Sequence, residues 1–299
     1  MSILPRLCLT TGLSLALLIS PQVTLADALK PLWVADGFKM PESVAYDAEK
    51  QKYYVSNING GPLIEDGNGS ISLLNMKGEM ETADFVTGLH SPKGLALFDN
   101  KIYIADVKAL VVADLQTGRV VQQHTHKNIK LLNGIAVDAS GQVFVSDWLG
   151  NSIYRLKDGT FELWLHSEKL NSPNGLWLTG TTLSVASWGR DVQSDFSTKT
   201  SGALLQISRA TKEVQIQEID REWVNMDGIS VDNQGRWLIS DFLKGEILLL
   251  DKGGSATTLM EGLTTPADFI YIPETQQIVI PSFTKNQVTA YQLQERREK

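Results

Sequence analysis

The sequence predicts an all-β protein, a six-bladed β-propeller with four short strands in each blade. Six segments repeat one pattern: a loop, a polar residue beside a small one, an apolar strand, a turn and a second strand. Each copy continues into two further strand-like runs, which makes four strands in roughly 40 residues. No stretch beyond residue 28 shows a helical period of any length. A β-sandwich or a solenoid is the alternative with the same turn density, and the regular repeat favours the propeller.

Residues 1–26 precede the repeats and have the pattern of a signal peptide. Arg6 is followed by an apolar run over residues 7–19, and small residues allow cleavage after Ala26 or after Ala28. A membrane anchor is the alternative, but the run is shorter than the roughly 20 residues that span a bilayer. We therefore expect a periplasmic or secreted protein with no membrane span after cleavage. Cys8, the only cysteine, would be removed with the signal.

The repeats align in two registers, and each register is one position that returns in every copy. The first, at the start of the first strand, holds Glu42, Lys93, Asn133, Asn174, Asp227 and Ala267. The second, 13 to 15 residues later, holds Asn57, Asp106, Asp147, Ser187, Asp241 and Ser282.

The propeller is expected to span residues 29–293 as a single domain, followed by a polar tail at 294–299. The mature chain begins with the strand-like "LKPLWVADGF". We expect this segment to be the outer strand of the last blade and so to close the ring.

The first register predicts a ligand site at one mouth of the central channel, because the first strand of each blade lines that channel. Two carboxylates (Glu42 and Asp227) and two amides (Asn133 and Asn174) are oxygen donors that suit Ca²⁺ or Mg²⁺. A cation, or Lys93, would offset the cost of burying the carboxylates. The alternative is that Asn and Asp cap turns and the following glycines supply left-handed backbone.

Two long loops, residues 58–69 and 189–202, connect second to third strands in blades one and four. Such connections leave the propeller on the same face as the first register, so we expect the loops to act as walls or lids of the site. Tolerated surface insertions are the alternative.

Other chemistry is sparse. The net charge of −7 argues against a nucleic-acid partner, and the sequence has no G-x-S-x-G, dinucleotide or P-loop motif. His124 and His126 alternate in a strand-like run and lack a third metal ligand. Four tryptophans recur near strand ends, where packing between blades is expected; they are Trp148, Trp177, Trp188 and Trp237.

The registers resemble the regucalcin/gluconolactonase family of six-bladed propellers, which also includes luciferin-regenerating proteins. "PES" at Glu42, "SPNGL" at Asn174 and "MDGISVD" at Asp227 match the three metal-ligand motifs of that family. The resemblance implies one divalent cation on these three residues, with calcium as the first choice and Mg, Mn or Zn as alternatives. It also implies that Asp227 is the general base.

The same resemblance places the substrate. Asn133 matches a substrate-contacting asparagine, and Lys93 is the second predicted substrate-binding residue. Sugar-lactone hydrolases of the family have an arginine two residues before that asparagine, where this chain has Leu131. Blade one reads Pro-Glu-Ser-Val instead of Pro-Glu-Gly-Pro.

The leading hypothesis is an exported, metal-dependent hydrolase of a lactone or related ester, with a small-molecule substrate. However, "VFVSDWLGNSIYRL" resembles the NHL repeat, whose propellers often bind partners without catalysis. The alternative is therefore a non-catalytic propeller that binds a ligand or a protein on the channel face. A strictosidine-synthase-like propeller is a third possibility and would not need the Glu-Asn-Asp set.

Overall fold

The computed structural model describes residues 30–221 and 223–293 and confirms the six-bladed propeller. Six four-stranded antiparallel sheets make up the described chain, with one short 3₁₀ helix at Glu168–Leu170. The predicted signal peptide and the C-terminal tail lie outside the described residues. No helix among the described residues is long and apolar enough to cross a membrane.

The strands follow the chain in order, apart from the first. β1 (Pro31–Ala35) precedes blade one, which contains β2 (Pro41–Asp47), β3 (Lys52–Asn57), β4 (Gly69–Asn75) and β5 (Met80–Leu89). Blade two contains β6 (Pro92–Phe98), β7 (Lys101–Asp106), β8 (Ala109–Asp114) and β9 (Val120–Thr125). Blade three contains β10 (Leu132–Val137), β11 (Val143–Asp147), β12 (Ser152–Lys157) and β13 (Thr160–His166).

The second half repeats the arrangement. Blade four contains β14 (Pro173–Thr179), β15 (Thr182–Ser187), β16 (Leu204–Ser208) and β17 (Val214–Gln217). Blade five contains β18 (Met226–Val231), β19 (Trp237–Asp241), β20 (Glu246–Leu250) and β21 (Ala256–Met260). Blade six contains β22 (Ile270–Ile272), β23 (Gln277–Ser282) and β24 (Gln287–Gln292), with β1 as its outer strand in antiparallel pairing with β24.

The first strands of the blades form a ring. β2, β6, β10, β14, β18 and β22 contact one another in that order, and β22 contacts β2. The backbone N–H of Asp268 donates to the carbonyl of Glu42 at 2.9 Å, and the N–H of Val44 donates to the carbonyl of Asp268 at 3.3 Å. These bonds join blade six to blade one on the channel side.

Apolar clusters fill the space between neighbouring blades. Tyr54, Ile71 and Ile104 are fully buried between blades one and two. Trp177 and Trp237 pack in the cluster between blades four and five, as predicted for them. Because the inner strands of each blade bury side chains on both faces, as β3 and β11 do, the blades stack face to face around the channel.

Glycine follows the register residue in four blades because the first strands approach one another closely. A Cβ on Gly175 would lie 2.3 Å from the carbonyl oxygen of Asp227, and one on Gly134 would lie 2.3 Å from that of Asn174. None of the four glycines has a positive φ; they are Gly94, Gly134, Gly175 and Gly228. The alternative in which these glycines supply left-handed backbone is therefore wrong.

Candidate metal and substrate site

The first register converges on one small cavity at the mouth of the channel. Glu42, Lys93, Asn133, Asn174 and Asp227 all line it and are all buried. The pairing of first and second strands shifts register where each of them sits. Such a β-bulge re-aims a side chain, so a bulge at each position turns the polar group into the channel. Ala267, the sixth register residue, is buried beside the cavity.

The second register holds these positions in place. Asp147 accepts hydrogen bonds from the backbone N–H groups of Lys130, Leu131 and Gly150 at 3.1, 2.8 and 3.0 Å. The carboxylates of Asp106 and Asp241 receive backbone N–H groups in the same way. Each carboxylate therefore ties the loop before the first strand to the end of the second strand, and so positions the register residue that follows.

Four oxygens at the cavity have no hydrogen-bond partner in the protein. They are Glu42 Oε2, Asn133 Oδ1, Asn174 Oδ1 and Asp227 Oδ1, and all four are buried. Buried polar atoms are nearly always paired, so four unpaired oxygens from four blades at one cavity point to a ligand. Carboxylate and amide oxygens are the donors that Ca²⁺ and Mg²⁺ prefer, and the residues present therefore fit a divalent cation.

The ligand set at the cavity differs from a metal site made only of His, Cys, Asp and Glu side chains, because two of its four members are amides. Among the described residues, no group of three or more His, Cys, Asp or Glu side chains could hold a metal. Two carboxylates and two amides make up the set here. His124 and His126 lie on an outer edge, where they pack on the rings of Phe161 and Tyr154.

A third carboxylate, missed by the sequence analysis, stands behind the set. Asp268 follows Ala267 directly, and its Oδ2 accepts a hydrogen bond from Ser43 Oγ at 2.9 Å. Burial raises the pKa of Asp268 to about 6. One feature of the sequence could have revealed Asp268. In the sixth repeat, "PAD" has an acidic residue directly after the register position, where four other copies have glycine.

Burial and the neighbouring charges disfavour ionisation of the three carboxyls. Burial, followed by the charges of Asp227 and Asp268, raises the pKa of Glu42 well above its usual range, while Lys93 lowers it. Burial and the charge of Asp268 raise the pKa of Asp227 in the same way. A bound cation would remove this repulsion.

Lys93 lies at the cavity with its ammonium protons engaged. Its Nζ donates to the carbonyls of Pro62 and Ser91, each at 2.8 Å, and to Ser91 Oγ at 3.1 Å. Burial lowers its pKa to about 8, against the opposing attraction of Glu42 and Asp106. Lys93 thereby connects loop 58–69 to the site.

An aromatic cap covers the cavity. The cap comprises Ile58, Trp148, Trp188, Phe196, Phe242 and Phe283, and all six line the cavity. Five of them directly follow a second-register position, a third register that the sequence analysis overlooked. Trp148 and Trp188 were predicted to pack between blades; instead they meet edge to face over the channel mouth, with ring centroids 5.4 Å apart. Pro62 and Phe196 bring both long loops to the cavity.

On the far side of the polar ring, the channel continues as a wider cavity of about 350 Å³. Apolar residues of the first strands line it, among them Leu95, Ile135 and Leu176, together with Asp268 and Phe269 just before β22. The register residues therefore separate a small capped cavity from an open apolar channel.

The comparisons with known proteins identify the fold. No family model matches the sequence and no curated protein matches it. A solved gluconolactonase from Xanthomonas campestris is similar, with a TM-score of 0.65 at 15% identity over 88% of this chain and 89% of that one. The fold implied by the family resemblance is thus confirmed.

Other similar structures have different activities. Virginiamycin B lyase from Staphylococcus aureus, in an inactive form with quinupristin, has a TM-score of 0.61 at 13% identity over 88% of this chain and 89% of that one. An auxiliary nutrient binding protein from Bacteroides thetaiotaomicron has a TM-score of 0.63 at 11% identity, covering 87% of this chain and 71% of that one. At such identities the likeness concerns the fold alone, so function must be argued from the site.

Proposed function

We propose that the protein is a divalent-metal-dependent hydrolase of a lactone or related ester. The observation that carries this proposal is the set of four buried, unpartnered oxygens facing one cavity. The likeness to a gluconolactonase of the same fold supports the substrate class. From residues 1–26, we also propose that the protein is exported to the periplasm or secreted.

In this proposal Glu42, Asn174 and Asp227 hold the cation, for which calcium is the first choice and Mg, Mn or Zn the alternatives. When bound, the cation supplies a Lewis acid for the carbonyl and lowers the pKa of a water. Asp227 accepts the proton of the attacking water, and Asn133 orients the substrate. Lys93 keeps a positive charge beside the carboxylates.

Hydrolysis would then proceed as an acyl transfer to water. The water oxygen bonds to the acyl carbon as its proton passes to Asp227. The ring C–O bond breaks, and the released oxygen takes that proton from Asp227 to become the hydroxyl of a hydroxy acid, which returns Asp227 to its starting state. The cap excludes bulk water from this step and strengthens the electrostatic interactions inside the cavity.

The second candidate is a non-catalytic propeller that binds a ligand or a protein partner on the same face. The nutrient binding protein of the same fold favours it. Under this candidate the four oxygens bind a structural cation or a polar ligand, and no turnover occurs.

A lactone panel assayed with Ca²⁺, Mg²⁺, Mn²⁺ and Zn²⁺ after chelation distinguishes the two candidates. We expect turnover that EDTA abolishes and that Asp227→Asn lowers by at least about 100-fold, the usual contribution of a general base. Glu49→Gln, at an exposed carboxylate away from the site, should leave turnover unchanged. Absence of hydrolysis with every metal would refute the hydrolase proposal in favour of the binding candidate, and turnover indifferent to EDTA would refute the metal mechanism.

A further inference from the structure

The capped cavity is too small for a substrate as it stands. Its volume is about 40 Å³, and one water requires roughly 10–15 Å³ by this measure, so it holds only a few waters. The four unpartnered oxygens form its inner side and the cap forms its outer side. A lactone therefore reaches the oxygens only when part of the cap moves.

Phe196 is the aromatic residue of the cap that lies on a long loop, within residues 189–202. Its ring centroid lies 6.1 to 6.5 Å from the rings of Trp148, Trp188, Phe242 and Phe283. Trp188 Nε1 donates to the carbonyl of Phe196 at 2.9 Å. The residue has a φ of +66°, in the left-handed region that a phenylalanine rarely adopts. Four ring contacts and one hydrogen bond thus hold this ring over the cavity.

The cap has few groups that could bind hydroxyls. Lys93 Nζ already donates hydrogen bonds to Pro62 and Ser91, and Trp188 Nε1 already donates to the carbonyl of Phe196, so neither donor is free for a substrate hydroxyl. Trp148 Nε1 is buried without a partner. Leu131 is fully buried in the same apolar cluster.

A hydroxyl-rich ring would find one free donor in the cap, Trp148 Nε1, and would press its other hydroxyls against aromatic carbon. Each hydroxyl buried without a partner is expected to lower affinity by about tenfold or more. An alkyl or aryl group would instead replace water against the aromatic rings, which is favourable.

We propose that this site takes lactones whose ring carries an alkyl or aryl substituent, and that Phe196 determines this specificity. The carbonyl lies at the end of the cavity where the oxygens would hold the cation, the substituent packs on Trp148 and Trp188, and the ring of Phe196 closes over it. The hydrolysis of such a lactone rests on the proposed function, whereas the preference for an apolar group follows from the cap.

The test compares kcat/KM for δ-decanolactone, δ-valerolactone and glucono-δ-lactone with the same cation. We expect δ-decanolactone to exceed glucono-δ-lactone by at least about tenfold. Phe196→Ala should lower kcat/KM for δ-decanolactone about tenfold and leave δ-valerolactone within about threefold. Phe161→Ala, which removes a half-buried ring from β13 far from the cavity, should change neither.

A preference of the wild-type protein for glucono-δ-lactone would overturn the inference while leaving the hydrolase proposal standing. This comparison needs no variant, so it decides even where Phe196→Ala fails to fold. A titration with δ-decanolactam, a hydrolysis-resistant isostere of δ-decanolactone, tests the apolar site when no lactone is hydrolysed. If no lactone is hydrolysed, the proposed function fails, and a saturable change in tryptophan fluorescence with the lactam then supports the apolar site. A flat titration would refute it.

Discussion

Replacing Glu42 with glutamine is expected to shift stability in opposite directions with and without a divalent cation. Glu42 is buried and its Oε2 has no partner; burial, followed by the charges of Asp227 and Asp268, raises its pKa. Glutamine has nearly the same shape and no charge. It therefore relieves repulsion in the cation-free protein and removes a ligand from the cation-loaded protein.

The magnitudes follow from burial and mass action. Replacing this buried, repelled carboxyl with an uncharged amide of nearly the same shape is expected to stabilise the cation-free variant by about 1–3 kcal/mol at pH 7. A cation at 100 times its Kd stabilises the wild type by about 2.7 kcal/mol. For a domain of this size, 1 kcal/mol moves Tm by about 2–4 °C. The wild type should thus gain about 5–10 °C from the cation, and the variant should lose most of that gain.

Differential scanning fluorimetry after chelation, with and without added Ca²⁺, measures both shifts. Glu49→Gln serves as the control, because this exposed carboxylate lies on the turn after β2. It should match the wild type in both conditions. The reasoning would be refuted by a cation-free Glu42→Gln protein that melts lower than the wild type and still gains the full calcium shift.

Three further predictions test the scaffold around the site. Gly175→Ala should lower the free energy of unfolding by about 1–3 kcal/mol, because its Cβ would lie 2.3 Å from the carbonyl oxygen of Asp227. The same variant should show no cation binding when titrated by calorimetry. Gly159→Ala, whose Cβ meets nothing within 4 Å, should retain cation binding. Asp147→Asn should cost about 1–3 kcal/mol in urea unfolding, since it weakens three backbone hydrogen bonds; unchanged stability would contradict the clamping role. Folding raises the pKa of Asp268 from 3.8 to about 6. Between these two pH values the folded cation-free protein holds a proton that the unfolded chain has released. The stability contributed by protonated Asp268 is therefore lost as the pH rises from about 4 through about 6. The Tm advantage of Asp268→Asn over the wild type should therefore grow between about pH 4 and pH 7, and a constant difference would refute this account.

Much of the fold could be predicted from the sequence because its causes are local. Alternating apolar residues and turn residues specify short strands copy by copy, and the repeat of Asn133, Asn174 and Asp227 in register marks equivalent places in equivalent units. The pairing of β1 with β24 also follows the expectation from the N-terminal segment. The five polar residues of the first register that line the cavity were all named from the sequence.

The rest depended on contacts between residues far apart in the chain. Asp268 sits one place out of register, and only the hydrogen bond between blades one and six shows it beside Ser43. The cap residues look like ordinary strand-end aromatics until Trp148 and Trp188 meet over the channel.

The sequence by itself determined the number of blades and the kinds of oxygen donor, since both are written into each repeat. The repeats also predicted that the donors meet at one mouth of the channel, but only the tertiary structure decided that they are unpaired and lie beneath an aromatic cap. The physical reason is that these contacts depend on how closely neighbouring first strands approach. At Gly175 that distance is so short that no side chain fits, and the spacing of the repeats along the chain contains no record of it.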